Sequence, residues 1–86
     1  MEFEFNQHKS DLNRSKHGID FIKAQKLWDD IDYLVIPAKV VDEIRYALIG
    51  KIGHKIWTAF YTVRNNKIRI ISVRRSRDEE KALYEG

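Results

Sequence analysis

Ile56-Trp57-Thr58-Ala59-Phe60-Tyr61-Thr62-Val63-Arg64-Asn65-Asn66-Lys67-Ile68-Arg69-Ile70-Ile71-Ser72-Val73-Arg74-Arg75 is the stretch on which the fold turns. Two runs rich in aromatic and β-branched residues flank a pair of asparagines, which tolerate the positive φ that a two-residue hairpin demands. The expectation is a long hairpin with strands over 56–64 and 67–74. With Asn65 and Asn66 as the loop, Val63 faces Ile68, Thr62 faces Arg69, Tyr61 faces Ile70 and Trp57 faces Arg74. One face then carries Trp57, Ala59, Tyr61, Val63, Ile68, Ile70, Ser72 and Arg74, and should meet the helices. The other carries Thr58, Phe60, Thr62, Arg64, Lys67, Arg69, Ile71, Val73 and Arg75. A slip of one residue would exchange the two faces.

The same stretch is charged with one sign. From Arg64 to Arg77 there are six cations (Arg64, Lys67, Arg69, Arg74, Arg75 and Arg77) and no carboxylate. A strand rich in Ile and Val holds them at fixed spacing, and a planar guanidinium matches two phosphate oxygens at once. That points toward a nucleic-acid backbone, with Arg64, Arg69 and Arg75 on one face and Thr62 between them. The charges also fit a solvated edge that keeps a hairpin soluble. Arg74, beside Trp57, either stacks on the indole or projects into a cleft under a terminal helix.

Working outward, Glu2-Phe3-Glu4-Phe5 alternates as a short strand with both rings on one face. Asn6 caps a helix running to about Lys16, with Gly18 as its C′ residue. Leu12 is that helix's only aliphatic residue, so little of it should enter a core. Asp20 opens a second helix whose stripe is Phe21, Ala24, Leu27, Trp28 and Ile31, and which Asp29-Asp30-Ile31-Asp32 ends. Strands follow over 33–36, stopped by Pro37, and over 43–49, stopped by Gly50. Gly50-Lys51-Ile52-Gly53 makes a turn. Ser76-Arg77-Asp78-Glu79 matches a capping box and opens a short helix to about Tyr84. On this helix Glu80 and Tyr84 are four apart, as a rim for the arginines or as a salt-bridged face. The expected class is α+β: an N-terminal strand and two helices, an antiparallel β-meander, and a short C-terminal helix.

Eighty-six residues make one domain over 1–86. So small a core is thin, and a partner protein would add to its stability. The formal net charge is +3, with acids gathered at the end (Asp78, Glu79, Glu80 and Glu85). There is no cysteine, which removes disulfides and thiolate metal sites and agrees with a reducing cytoplasm. The first residues show no signal-peptide pattern, and apolar runs are far too short to span a membrane. His8, His17 and His54 lack metal-ligand spacing, so neither a metal site nor another cofactor is expected. His17 sits in the last turn of helix one, where a cation suits the helix dipole.

Read together, these segments resemble the BrnT family of type II toxin–antitoxin toxins, within the wider RelE/ParE-like group. A K-x-x-x-N-x-x-K-H-G-[IV]-x-F signature is met by Lys9, Asn13, Lys16, His17, Gly18, Ile19 and Phe21. An E-x-R-x-x-x-x-G element is met by Glu43, Arg45 and Gly50. The tail T-x-R…I-R-I-I-S-x-R…E-x-x-x-Y is met by Thr62, Arg64, Ile68 through Ser72, Arg74, Glu80 and Tyr84. One departure is visible: where the family often has Glu-Arg before a Gly-containing hairpin, this chain has Val63-Arg64 and Asn65-Asn66.

The resemblance implies a RelE/ParE-like fold and a cytoplasmic endoribonuclease that cleaves RNA and arrests translation. It also implies neutralisation by a BrnA-like antitoxin, itself DNA-binding, that regulates the operon through the complex. Without metal ligands, cleavage would turn the RNA's own 2′-hydroxyl on the adjacent phosphate, leaving a 2′,3′-cyclic phosphate or a 3′-phosphate. The residues expected to carry catalysis are Arg64, Arg69, Arg74, Glu80, Tyr84 and His17, with Arg45, Thr62, Lys67 and Arg75 binding RNA. Arginine offsets charge but is no base; Glu80 or His17 would take the proton, and Tyr84 would stack or donate. Two other functions fit the fold group: a ParE-like poison that binds DNA gyrase, and a non-catalytic RNA-binding module.

Overall fold

The computed structural model describes residues 2–38 and 42–86. The hairpin forms as the two asparagines require: β4 (Lys55–Arg64) and β5 (Lys67–Arg75) are joined by Asn65 at φ 51° and Asn66 at φ 63°. Positive φ at both loop positions is the type I′ geometry, whose twist matches that of paired strands. Against β4 lies β3 (Tyr46–Ile52), and against β3 lies β2 (Leu34–Pro37), both antiparallel. The short β1 (Glu2–Glu4) joins the other side of β5 in parallel, so the sheet is mixed, with order β1-β5-β4-β3-β2. Among the described residues three helices complete an α+β fold: α1 (Gln7–His17), a 3-10 helix (Lys23–Asp29) and α2 (Asp78–Glu85).

The expected register holds only for the loop half of the hairpin. Val63 pairs with Ile68, Thr62 with Arg69 and Tyr61 with Ile70, but Phe60 then pairs with Ser72 and leaves Ile71 as an extra residue. Beyond this bulge Ala59 pairs with Val73, Thr58 with Arg74 and Trp57 with Arg75. An inserted residue rotates everything after it onto the opposite face. Val73 therefore turns inward and is fully buried, whereas Ser72 and Arg74 turn outward. Trp57 does not face Arg74, and Arg75 rather than Arg74 lies over its ring, 5.4 Å from the centroid.

The inner face of the sheet holds the core. Leu48, Trp57, Ala59, Tyr61, Ile68, Ile70 and Val73 meet Ile19, Phe21, Ala24 and Leu27. Phe3 packs edge-on to Trp28 and Phe5 edge-on to Phe21, so both N-terminal rings do share a face. The second helix is 3-10 rather than α. Asp20 accepts from the backbone N–H of Ile22 and Lys23, and the buried residues Phe21, Ala24 and Leu27 recur every third position, the 3-10 period. Ile31, expected on this stripe, falls past its end and is 96% exposed. Gly50 does not stop a strand but lies buried within β3, opposite Trp57. A Cβ there would meet Leu27 Cδ2 and its carbonyl at 3.3 Å, so glycine lets the 3-10 helix rest on the sheet. The turn falls instead at Gly53, whose φ is 62°. β3 accordingly spans Tyr46–Ile52 and leaves Arg45 in the preceding connection. Pro37 closes β2 from within, on an edge strand where its missing N–H is tolerated.

α1 is docked by polar side chains. Leu12 is 54% exposed, while Ser10 and Asn13 are buried. The Ser10 hydroxyl accepts from the Phe21 N–H at 2.9 Å. Asn13 donates to the carbonyls of Ile19 (2.8 Å) and Val73 (2.9 Å) and accepts from the Val73 N–H at 3.1 Å. β1 covers only the first residues of β5; beyond them Asn13 pairs with the open edge as a strand would, joining α1 to the bulge segment. Asn13→Ala leaves both Val73 polar groups unpaired, each such loss costing about 1–3 kcal/mol. Urea denaturation should show that loss, and Asn13→Asp, which turns oxygen toward two carbonyls, should be no milder. A change below about 0.5 kcal/mol, the size of an ordinary surface substitution, would remove Asn13 from this role.

Candidate nucleic-acid interface

The bulge brings Arg74 onto the outer face with Arg64 and Arg69, and Thr58, Phe60 and Thr62 of β4 lie beside them. This is a different trio from the Arg64, Arg69 and Arg75 of a regular hairpin. Arg74 lies over the Phe60 ring, 5.2 Å from its centroid. Arg75 belongs to the face of Trp57, and Lys67 pairs with Arg64 at the hairpin end.

The row is not uncompensated. Each arginine meets one glutamate brought by a different element. Arg64 holds Glu43 of the β2–β3 connection through two bonds of 3.0 Å. Arg69 holds Glu4 of β1 through one bond of 3.0 Å. Arg74 holds Glu80 of α2 through two bonds of 2.8 Å, and is the least exposed of the three. The three pairs therefore also fasten three peripheral segments to the sheet. Arg69 commits a single Nη1 donor, leaving Nε and Nη2 without a partner among the described residues. Near the hairpin, hydrogen bonding to Arg64 lowers the Glu43 carboxyl below its ordinary value, and the charges of Arg45 and Arg69 act in the same direction. Arg45, Arg64 and Arg69 thus share one neighbourhood with Glu43 and Glu4.

Glu80 is the most constrained acid of the site. Its carboxyl is drawn down to about 2, chiefly by the Arg74 hydrogen bonds and further by the Arg77 N–H and the Thr58 hydroxyl, against the opposing effect of burial. The Arg77 N–H donates at 2.7 Å and closes the first turn of α2. The cap thus lies one residue later than Ser76, whose hydroxyl bonds Thr58 instead at 2.8 Å. Because Thr58 donates its one proton to Glu80 at 3.0 Å, it accepts from Ser76.

Several expected site residues lie elsewhere or are committed. Thr62 is buried and donates to the Ile44 carbonyl at 2.7 Å, holding the β2–β3 connection on the outer face. Tyr84 is turned to Asp30 at the end of the 3-10 helix, donating at 2.6 Å. That bond pushes the phenol up to about 12, so it keeps its proton. Burial pushes Asp30 up, but Tyr84, the Asp32 and Lys51 N–H groups and the Lys51 charge outweigh it and leave its carboxyl low. His17, the last residue of α1, borders a cleft of about 270 Å³ with Lys9, Leu12, Asn13, Lys16, Ile71 and Ser72. Lys9 and Lys16 match only as part of the family signature, and the partnerships of Arg64 and Arg69 could not be read from spacing. Glu4 lies 65 residues from Arg69, and Glu43 lies 21 from Arg64.

Among the described residues no cluster of three His, Asp or Glu is arranged to hold a metal ion, and no helix is long and apolar enough to cross a membrane. A family model described as the ribonuclease toxin BrnT of type II toxin–antitoxin systems matches residues 5–80. No curated protein matches the chain.

The Glu80 carboxyl has a pH consequence. Folded, it stays ionised to about 2; unfolded, it returns to its ordinary 4.5. The unfolded chain therefore takes up the proton first, and the pair's contribution is full above about pH 4.5 and lost as pH falls toward 2. Urea midpoints measured across that window should fall more steeply for the wild type than for Glu80→Gln; parallel curves would show that the pair does not couple to folding.

Proposed function

We propose that this chain, which belongs to the BrnT family of ribonuclease toxins of type II toxin–antitoxin systems, cleaves single-stranded RNA on the outer face of its sheet, without a metal ion. In this reading the layout is RelE/ParE-like, the protein acts in the cytoplasm, and cleavage of RNA is what inhibits translation. The observation that carries it is the alignment of Arg64, Arg69 and Arg74 along one rigid strand pair. Rigid guanidiniums offset charge on a pentavalent phosphate without rearranging.

The steps follow from what each group is free to do. Arg69, with its uncommitted Nε and Nη2, takes the scissile phosphate; Arg74, oriented by Glu80, offsets the charge that develops as the 2′-oxygen attacks. A base must hold a pKa near the working pH, and a carboxylate held at about 2 is a weak one. Glu80 is therefore a positioning residue for Arg74. His17 is left as the base candidate, imidazole being the side chain that ordinarily exchanges protons near neutral pH. The 2′-oxygen gives its proton to His17 and bonds to phosphorus, the bond from phosphorus to the 5′-oxygen breaks, that oxygen takes a proton from water, and the product is a 2′,3′-cyclic phosphate. Tyr84 pins α2 through Asp30 and serves indirectly.

Family membership implies a protein antitoxin. We assign it the outer face, where carboxylates of a BrnA-like partner would replace Glu4 and Glu43 on the arginines. Phe60 and Ile71, both half-buried, would add apolar contact, whereas Val73 is wholly inside and contributes none. The complex with this DNA-binding partner would regulate its own operon.

Purified protein incubated with RNA in EDTA should generate 2′,3′-cyclic phosphate ends. Arg69→Ala should slow cleavage about 10²–10³-fold while staying folded by circular dichroism, the usual loss for one charge-stabilising donor. Arg75→Ala, on the other face, should stay within a few-fold of wild type. Cleavage that appears only on adding Mg²⁺, or an Arg69→Ala variant as fast as wild type, would overturn the mechanism.

A further inference from the structure

The cleft beside α1 lies outside the arginine row, and its lining is chemically consistent. Lys9 and Lys16 are two turns apart on α1, about 10.5 Å along the axis, with Asn13 between them. Asn13 is fully committed to the edge of β5, so it serves as wall and fixes the helix in place. The floor is Ile71, the extra residue of the bulge, and Ser72, its neighbour. Leu12 supplies an apolar wall and His17 an imidazole. No carboxylate lines the cleft, and among the described residues neither lysine is in an ion pair.

Size and position select the occupant. About 270 Å³ is somewhat less than a drug-sized ligand needs, and fits a single nucleotide better than a protein segment. Ser72 follows the bulge between Arg69 and Arg74 on β5 and turns to the same face. The cleft therefore continues the arginine row around the strand edge. Cations spaced along a groove, with apolar surface for a base to rest on, are what a single strand requires.

We propose that this cleft is a second subsite for the RNA strand, holding a nucleotide beyond the two that flank the scissile phosphate: Lys9 and Lys16 take its phosphate, and its base lies on Leu12 and Ile71. The subsite rests on the outer face being the RNA face, yet its two lysines are separable from cleavage and from His17, because they act through binding alone.

The test is binding of a fluorescent 2′-O-methyl RNA oligonucleotide, which cannot be cut, to the full chain and to Lys9→Ala/Lys16→Ala. Both lysines are exposed, so the double variant should keep the wild-type circular dichroism and urea midpoint. Affinity should fall about tenfold, and the slope of log K against log salt should flatten by about 0.7 for each single-strand phosphate that is no longer neutralised. A dinucleotide, too short to reach the cleft, should bind both proteins alike. A wild type that binds without cutting uncapped natural RNA, with binding lost in the double variant, would remove the nuclease mechanism and keep the subsite. Equal affinity and equal salt slope for the two proteins would overturn it, as would a wild type that binds no RNA. Unchanged RNA binding with weakened antitoxin binding would assign the cleft to a protein interface and overturn it as well.

Discussion

One extra residue in β5 sets the arrangement of everything that matters here. Ile71 has no partner on β4, and from that point the strand is rotated by one position. Were the pairing regular, Val73 would face outward, Arg74 would take the exposed place beside Trp57 that Arg75 now holds, and Ser72 would stand opposite the fully buried Ala59. A hydroxyl would then enter the core where Val73 now packs. The bulge removes the conflict: Val73 closes the core, and Arg74 joins Arg69 and Arg64. Asn13 holds the segment by bonding both backbone groups of Val73, so the first helix stabilises the irregular stretch from outside.

A second constraint acts on the charges. Like-charged residues on paired strands oppose pairing, and the chain relieves this from within by bringing Glu4, Glu43 and Glu80 to the three arginines. The pairs differ in character. Those of Arg64 and Arg69 are substantially exposed, where ion pairs contribute little net energy and exchange partners readily. The pair of Arg74 and Glu80 is more enclosed, bidentate and reinforced by Thr58 and Arg77. In the proposed function, an RNA phosphate or an antitoxin carboxylate would meet two arginines whose partners yield and one whose partner orients it.

The parts of the fold that rest on local chemistry were legible. Asn65-Asn66 announced a hairpin, Asn6 and Gly18 bounded α1, and alternating Phe3 and Phe5 gave a strand with one apolar side. The bulge was not legible, because Ile70, Ile71 and Val73 are apolar in both parities and a binary pattern cannot show where the phase changes. The 3-10 helix was legible in principle: Phe21, Ala24 and Leu27 recur every third residue, although the same residues also fit an α-helical stripe. The boundary placed at Gly50 failed because a glycine marks close approach of two backbones as readily as it marks a turn. Of the site, the family resemblance picks out Arg64, Arg69 and Arg74 together, but their common face was not legible, since it depends on the bulge. Their glutamate partners come from three separate elements, and only tertiary structure brings them together.

The central claim is that the bulge sorts the arginines into an RNA face and a core-side face. Nuclear magnetic resonance of the arginine Nε–H groups, followed during titration with a 2′-O-methyl RNA oligonucleotide, addresses it residue by residue. The account predicts that the signals of Arg69 and Arg74 move together while that of Arg75, over Trp57, stays in place. Movement of Arg75 with Arg69 and Arg74 unmoved would place the RNA on the opposite face and contradict it.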